Sequence, residues 1–292
     1  MQLLDGKILS TQIKKEIKST VDTMVANGAR PPHLAAILVG NHPASETYVA
    51  SKIKNCAEVG FQSSLFRFSD TITQDELLQK INELNNNPSI DGFIVQLPLP
   101  KHIHVHTITL AIDPAKDVDG FHPLNQGNML LNQPCLLPAT PYGILMILEK
   151  YNIKTDGKHC VVIGRSNIVG LPMSILMVSN TVFGNSTVTM CHSHTDGLNT
   201  IAAQADILIA AIGKPNFVTP DMVKPGAVVI DVGINAIPST KTKSGFQLVG
   251  DVAFHAVAPK CSYITPVPGG VGLMTIIGLL KNTLKAAQSN AS

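Results

Sequence analysis

The sequence contains no tryptophan, and phenylalanine and tyrosine together make up only 4% of its 292 residues. Charged residues are also scarce, at 14% of the chain, where a typical soluble domain has roughly 25%. The formal net charge is +2. These values argue against a nucleic-acid binder that works through a broad basic surface, because neither the positive charge nor the stacking aromatics are available.

Long apolar runs are missing as well, since none approaches the roughly 18 residues that a membrane-spanning helix needs. The first 15 residues contain no apolar block of the kind found in a secretory signal. The five cysteines are odd in number, far apart and without a Cys-x-x-Cys pair, which disfavours a disulfide scaffold or a zinc ribbon. With 45% hydrophobic residues, we expect a soluble, cytoplasmic protein with a large core.

Short β-branched runs alternate with stretches of helical period along the chain. In the first part, we predict strands over residues 33–39, 61–68 and 92–96, and helices over residues 7–26, 43–59 and 74–84. In the second part, we predict strands over residues 159–163, 186–191, 206–211 and 227–232, and helices over residues 141–151, 171–179 and 198–204. We also predict an exposed loop over residues 238–245, which are rich in Ser, Thr and Lys, and a last helix from about residue 273. This order is typical of parallel sheets covered on both faces, and it predicts two α/β units with a seam near residue 140.

A glycine-bounded turn, residues 164–170, follows the strand over residues 159–163. Backbone N–H groups at the start of the next helix could face a phosphate, although a plain strand-to-helix turn is an equal alternative because the usual Gly-x-Gly-x-x-Gly spacing is absent. The following strand ends without the carboxylate that selects NAD, whereas Arg165 and Ser193 suit a 2′-phosphate. If a dinucleotide binds, NADP is favoured over NAD; otherwise these are ordinary surface residues.

Candidate catalytic groups occur in the first part of the chain. Tyr48 and Lys52 are four residues apart on one predicted helix face, a pattern that is more often solvated than catalytic. Gln96 ends a buried strand, where open parallel sheets bind ligands. Asp117 and Asp119 lie in a loop with His122, and such loops usually bond their own backbone.

Three alternate histidines, His102, His104 and His106, suggest a metal site because they would share one face of an extended segment. No further ligand spacing nearby completes a site. We therefore favour three solvated histidines over a metal centre.

Seven segments, taken together and in order, carry a family resemblance. They are residues 48–52 (Tyr-Val-Ala-Ser-Lys), 95–100 (Val-Gln-Leu-Pro-Leu-Pro), 116–120 (Lys-Asp-Val-Asp-Gly), 138–141 (Pro-Ala-Thr-Pro), 164–166 (Gly-Arg-Ser), 231–235 (Asp-Val-Gly-Ile-Asn) and 265–272 (Thr-Pro-Val-Pro-Gly-Gly-Val-Gly). Through nearly its whole length, the chain resembles the bifunctional methylenetetrahydrofolate dehydrogenase/methenyltetrahydrofolate cyclohydrolase family.

The resemblance implies an oxidoreductase and hydrolase of one-carbon folate metabolism, which supports purine biosynthesis. A hydride passes from 5,10-methylenetetrahydrofolate to NADP, and water then opens the methenyl product to 10-formyltetrahydrofolate. The resemblance also implies a homodimer formed through the cofactor domain, and no metal.

Residue roles follow from the same resemblance. Lys52 is implied to carry the cyclohydrolase proton transfers, with Gln96 positioning it, Tyr48 packing on the aminobenzoate ring and Asp119 anchoring the pterin. The implied substrate-binding set adds Leu97, Pro98, Pro268, Gly269 and Gly270. The implied cofactor-binding set is Thr140, Gly164, Arg165, Ser166, Ser193, Gly213 and Ile234.

The expected architecture is therefore two parallel-sheet α/β domains around a cleft. Residues 1–140 plus 273–292 would form the folate-binding catalytic domain, and residues 141–272 a Rossmann-like NADP-binding domain. One position departs from the family pattern, because Leu273 stands where the family has proline. Two alternatives remain: a dehydrogenase whose cyclohydrolase is weakened by Leu273, and a nucleotide-binding regulatory module without turnover.

Overall fold

The structure is a computed structural model that describes residues 1–240, 242 and 245–290, with the backbone alone at Ala44 and Asn290. The chain divides into two compact units. The first unit comprises Thr11–Ala139 and the chain from Ile276 onward, and the second comprises Met1–Ser10 and Thr140–Thr275.

The first unit is a small parallel sheet with helices. Its elements are α1 (Gly6–Ala26, mostly), β2 (His33–Val39), α2 (Pro43–Glu58), β3 (Gln62–Phe68), α3 (Gln74–Asn85), β4 (Gly92–Val95), α4 (Val105–Ala111), α5 (Pro123–Leu130) and most of α10 (Val271–Asn290). The strand order is β3-β2-β4, with every pair parallel. All four residues of β4 are buried, as expected for an uninterrupted apolar strand in a parallel sheet that is covered on both faces.

Local sequence signals explain where several of these helices begin. Pro43 lies in the first turn of α2, where its missing N–H has no intrahelical partner to lose. Thr73 caps α3 in a capping box, because its hydroxyl accepts the Glu76 N–H while the Glu76 carboxylate accepts the Thr73 N–H. The buried side chains of α3 pack against β2 and β4 in one apolar cluster.

The second unit is built on a larger parallel sheet. Its elements are β1 (Gln2–Leu3), α6 (Ala139–Lys150), β5 (His159–Ile163), α7 (Gly170–Val178), β6 (Thr187–Cys191), α8 (Leu198–Ala202), β7 (Ile207–Ala210), β8 (Val228–Asp231), β9 (Asn235–Pro238), β10 (Phe246–Val249), α9 (Phe254–Val257) and β11 (Tyr263–Ile264). The described strands form a six-stranded sheet in the order β1-β11-β8-β7-β5-β6, with every pair parallel. β9 and β10 form a separate antiparallel hairpin.

The observed division differs from the predicted one at the N-terminus. We predicted residues 1–140 in the first domain, but β1 pairs in parallel with β11, and the Leu4 N–H donates to the Ile264 carbonyl at 2.8 Å. Residues 1–10 therefore lie with the second unit. Helices α1 and α10 each begin in the second unit and continue into the first.

Candidate active site

Helix α2 presents Tyr48 and Lys52 on one face, since they are four residues apart. Tyr48 is 40% exposed and Lys52 is half-buried. Val49, between them in sequence, is fully buried and fixes the orientation of the helix against its unit. A flat, accessible ring thus lies one turn from an accessible amine.

Gln96 lies at the carboxyl end of β4 and is held there by its backbone, whose N–H donates to the Ile37 carbonyl at 2.9 Å. Its side-chain Nε2 donates to the Leu97 carbonyl at 2.7 Å, which leaves Oε1 to accept a hydrogen bond from Lys52 Nζ at 3.2 Å. The amide has one orientation that satisfies both contacts, so Gln96 fixes where the Lys52 amine sits.

Asp119 lies in the loop that follows the parallel bridge between Phe93 and Asp117. Burial raises the pKa of the Asp119 carboxyl, the charge of Lys52 opposes that rise, and Asp117 adds to it. Within the described residues, the Asp119 carboxylate accepts no hydrogen bond from the protein. It is therefore a half-buried acceptor that is available to a ligand with N–H donors.

The neighbouring Asp117 has a different role. Its Oδ2 accepts the His122 N–H at 2.7 Å and the Asn125 amide at 3.0 Å, so this carboxylate organises the loop. Gly120 has a φ of +73°, and a Cβ there would lie 2.5 Å from the Leu137 carbonyl. Only glycine fits this position, which sets the path of the loop beside Asp119.

In the second unit, the glycine turn (residues 164–170) connects β5 to α7 with very little space. Gly164 has a φ of +129°, and a Cβ there would lie 2.3 Å from the Ala211 carbonyl oxygen. A Cβ on Gly170 would lie 2.2 Å from the Gly164 carbonyl oxygen. Ser166 Oγ accepts the N–H groups of Val169 and Gly170 at 3.2 and 3.4 Å, which closes the turn.

Arg165 projects from this turn into solvent. Within the described part of the chain it makes no ion pair and no hydrogen bond, so its guanidinium is available to an anion. Ser193 is also exposed and lies just beyond the end of β6, the strand next to β5. The glycine turn and these two side chains fit a phosphate-bearing dinucleotide, because a close-approach backbone and free donors are what such a ligand needs.

The remaining predicted residues of the second unit also follow strand ends or helix starts. Gly213 follows β7, and Ile234, which is 42% exposed, follows β8. Because β8, β7, β5 and β6 are parallel, these loops and the glycine turn all lie at the carboxyl ends of the strands. β6 and β7 lie on opposite sides of β5, and ligands of open parallel sheets bind where the strand order reverses in this way. Thr140 Oγ1 lies 3.0 Å from Thr275 Oγ1. Pro268, Gly269 and Gly270, predicted to bind folate, belong to this unit.

Two family models match the chain. One, described as the catalytic domain of tetrahydrofolate dehydrogenase/cyclohydrolase, matches residues 4–119, and the other, its NAD(P)-binding domain, matches residues 138–291. The chain belongs to the tetrahydrofolate dehydrogenase/cyclohydrolase family. This confirms the predicted family and its two activities in folate one-carbon interconversion, which make the protein a bifunctional enzyme.

Individual relatives agree with the family models over almost the whole chain. The bifunctional protein FolD of Cytophaga hutchinsonii is 62% identical over 98% of this chain and 99% of its own length. The bifunctional FolD of Campylobacter jejuni is 48% identical, with a TM-score of 0.92 over 99% of both chains. The Trypanosoma brucei enzyme, solved with NADP and an inhibitor, is 34% identical, with a TM-score of 0.93 over 98% of this chain and 97% of its own. The predicted two-domain α/β fold is thereby confirmed.

The three histidines do not share an extended face in this family member. His102 Nε2 lies 2.8 Å from the Ile72 carbonyl oxygen, His104 precedes α4, and His106 lies within that helix. Among the described residues, no group of three His, Cys, Asp or Glu side chains is arranged to hold a metal ion. No helix in the described ranges combines the length and hydropathy that crossing a bilayer requires.

The sequence analysis assigned no role to two buried carboxylates, Asp231 and Asp251, although Asp231 lies in the family segment 231–235. Asp231 ends β8 and Asp251 follows β10, and both accept several backbone N–H groups. The signal in the sequence was a glycine close to each aspartate, Gly233 after Asp231 and Gly250 before Asp251. A glycine has no Cβ, so a carboxylate can approach its backbone closely. Nothing in the spacing shows that the two residues meet.

Proposed function

We propose that the chain oxidises 5,10-methylenetetrahydrofolate to 5,10-methenyltetrahydrofolate with NADP and hydrolyses that product to 10-formyltetrahydrofolate. The observation that carries this proposal is the hydrogen bond between Lys52 Nζ and Gln96 Oε1 in the same unit as the acceptor Asp119. The first unit is then the folate-binding catalytic domain, and the second is the NADP-binding domain.

Lys52 carries the proton transfers of the cyclohydrolase step. Water adds to the methenyl carbon and loses one proton. A ring nitrogen takes a proton as its bond to that carbon breaks, and the remaining hydroxyl proton leaves as the formyl C=O forms, so one proton is released overall. A second positive charge is unfavourable beside the cationic carbon, so the amine can act as a base there. Gln96 positions the amine, and Tyr48 offers its exposed ring to the aminobenzoate.

The folate headgroup is anchored by Asp119. A pterin presents amino and ring N–H donors, and a carboxylate offers only acceptors. Because Asp119 accepts no hydrogen bond from described residues, the pterin would satisfy it. Leu97 and Pro98, next to Gln96, and Pro268, Gly269 and Gly270 complete the proposed substrate-binding set.

Bound NADP would supply the acceptor for the hydride of the methylene carbon. Gly164 and Ser166 of the glycine turn would hold its phosphates, and Arg165 and Ser193 its 2′-phosphate, since both side chains are exposed donors. Thr140, Gly213 and Ile234 complete the proposed cofactor-binding set. No carboxylate lies at residues 192–195, where an NAD-selective site would place one.

Lys52→Met tests the catalytic assignment, with Lys54→Met as its matched control. Lys54 lies on the same helix with its side chain 77% exposed. General acid–base catalysis contributes about 10²- to 10⁴-fold, so Lys52→Met should slow hydrolysis of methenyltetrahydrofolate by at least about a hundredfold. Lys54→Met should match the wild type. A Lys52→Met enzyme with a wild-type hydrolysis rate contradicts the assignment, and no reduction of NADP by wild type contradicts the dehydrogenase.

A homodimer through the second unit is also part of the proposal. β6 is an edge strand of the six-stranded sheet, and near it Val178 and Val182 are 57% and 84% exposed. An open edge beside exposed apolar side chains favours association. Val182→Asp should shift the sedimentation coefficient towards that of a monomer, while Val25→Asp in the first unit, where Val25 is 44% exposed, should leave it unchanged. A monomeric wild type would overturn this part.

We also propose that the enzyme works in the cytoplasm and supplies one-carbon units for purine biosynthesis. All five cysteines are free, which suits a reducing compartment. Fractionation of cells, with the enzyme followed by its hydrolase activity, tests the location; recovery of that activity outside the cytoplasmic fraction would contradict it.

A further inference from the structure

Two buried aspartates meet in the second unit, and we call Asp231 and Asp251 the carboxylate pair. Asp231 is 2% exposed and Asp251 is fully buried. Neither has a lysine or arginine within ion-pair distance among the described residues. Burying a carboxylate without an ion-pair partner costs free energy unless its oxygens accept hydrogen bonds. The donors that these oxygens accept therefore indicate what the pair does.

Asp251 binds two loops that follow neighbouring strands. Its Oδ2 accepts the N–H groups of Ile212 and Gly213 at 2.7 and 2.9 Å, in the loop after β7. Its Oδ1 accepts Asn235 Nδ2 at 2.9 Å, at the start of β9 and just after Ile234. One carboxylate thus fixes both proposed cofactor-contacting loops relative to each other.

Asp231 in turn fixes Asp251. Its Oδ1 accepts the N–H groups of Asp251 and Gly233 at 2.8 and 3.0 Å, and its Oδ2 accepts the Val252 N–H at 2.9 Å. A Cβ on Gly250 would lie 1.8 Å from Asp231 Oδ2. The chain near residue 250 is therefore seated directly on the Asp231 carboxylate.

The arrangement also decides which groups the loop after β7 can offer. The Ala211 N–H donates to the Ile163 carbonyl at 2.8 Å, and the next two N–H groups donate to Asp251. Three successive donors are occupied within the protein. Residues 211–213 can therefore meet a ligand with carbonyl oxygens, which accept hydrogen bonds from hydroxyl and amide groups.

The pair also opposes stability. Burial raises the pKa of Asp231 to about 6, the three backbone N–H bonds oppose that rise, and Asp251 adds to it. Both oxygens of each carboxylate accept N–H groups, and a neutral asparagine would present an N–H group in place of one of those oxygens. The need for acceptors on both sides explains why two ionisable groups stand here despite their cost.

We propose that Asp251, seated on Asp231, is a positioning residue for NADP, which it serves by fixing the loops that carry Gly213 and Ile234. The proposal rests on the proposed function, because that function places those two residues against NADP. The hydrolytic step needs no dinucleotide, and Lys52, Gln96 and Asp119 belong to the other unit. Loss of the carboxylate should therefore affect one activity and spare the other.

The test is Asp251→Asn, with Asp206→Asn as its matched control. Asp206 belongs to the same unit and directly precedes β7, so it lies at the amino ends of the strands, away from the loops that Asp251 holds. It also accepts a backbone N–H, from His159 at 3.0 Å. Asp251→Asn should raise the Kd and KM for NADP at least tenfold, keep kcat at saturating NADP within threefold, and leave methenyltetrahydrofolate hydrolysis within twofold of wild type. Asp206→Asn should change none of these values by more than twofold.

Three outcomes overturn the inference: an unchanged Kd for NADP in Asp251→Asn, an equal loss of hydrolysis, or the same rise in Asp206→Asn. Should Asp251→Asn fail to fold, Asn235→Ala decides, because it removes one loop contact and leaves both carboxylates. It should raise the Kd for NADP about threefold, and an unchanged Kd overturns the inference. A wild type that binds no NADP would instead refute the proposed function.

Discussion

Asn282 is the residue whose removal tests most directly how the Asp119 loop is held. It lies on α10, is 1% exposed, and its Nδ2 donates to the Val118 carbonyl at 2.8 Å and to the Leu137 carbonyl at 2.7 Å. One amide thus joins three segments of the first unit. Leucine has nearly the same size, so Asn282→Leu removes both donors without opening a cavity.

The expected loss of stability follows from those two contacts. A buried carbonyl left without a donor costs about 1–3 kcal/mol, so two of them should lower the free energy of unfolding by about 2–6 kcal/mol. The neighbouring Thr283 is the matched control, since it is fully buried and its hydroxyl donates to the Leu279 carbonyl at 2.8 Å, within its own helix. Thr283→Val should cost below about 1 kcal/mol, because the helix N–H still satisfies that carbonyl.

Urea unfolding followed by circular dichroism measures both variants, a suitable method for a chain without tryptophan. Asn282→Leu should also raise the KM for folate, because Val118 directly precedes Asp119. An Asn282→Leu protein within 0.5 kcal/mol of wild type, by the roughly 1 kcal/mol scale of a single hydrogen bond, would refute the reasoning. So would an equal loss of stability in Thr283→Val.

Three further outcomes are expected. Arg165→Ala should weaken NADP by at least tenfold and NAD by less than threefold, since a charge-assisted pair is worth about 1.5–3 kcal/mol; equal weakening in fluorescence titrations would contradict a 2′-phosphate contact. The Asp231 pKa of about 6 exceeds the roughly 3.9 of an unfolded chain, so its stabilising contribution is present below pH 4 and lost as pH rises to 6. Relative to Asp231→Asn, wild type should therefore lose about 3 kcal/mol of unfolding free energy across that window, and parallel profiles in urea unfolding would contradict the burial argument. Gly164→Ala should abolish NADP binding, measured by the same titration, because its Cβ would meet the Ala211 carbonyl; wild-type affinity would mean that the turn adjusts.

Much of the parallel-sheet architecture follows from local sequence. β2 and β5 have the predicted bounds, and α2 and α3 end within one residue of prediction, because apolar periods bounded by proline, glycine or a capping threonine are local signals. α4, α5 and the β9–β10 hairpin were not predicted. Residues 241, 243 and 244, within the exposed loop predicted for residues 238–245, lie outside the described residues.

In the candidate site, too, local sequence signals predicted the position of single residues but not the contacts between them. Periodicity placed Gln96 at a strand end and Lys52 on a helix face, but their hydrogen bond depends on how two elements pack, which the spacing does not encode. Family resemblance, rather than pattern, supplied the roles. The meeting of Asp231 and Asp251 lies beyond local signals altogether, because it joins a strand end to a residue after a hairpin that was not predicted.

The parallel pairing of β1 with β11 has a consequence for how the chain reaches its native state. β1 comes before the other strands of its sheet in the sequence and β11 comes after them, so the pairing of Gln2 with Tyr263 closes a very long loop. During synthesis, residues 1–10 must wait for their partner until β11 has been made. Removal of residues 1–10 would therefore disturb the second unit, and a fragment that ends before β11 would carry an unpaired strand whose sheet is not yet built.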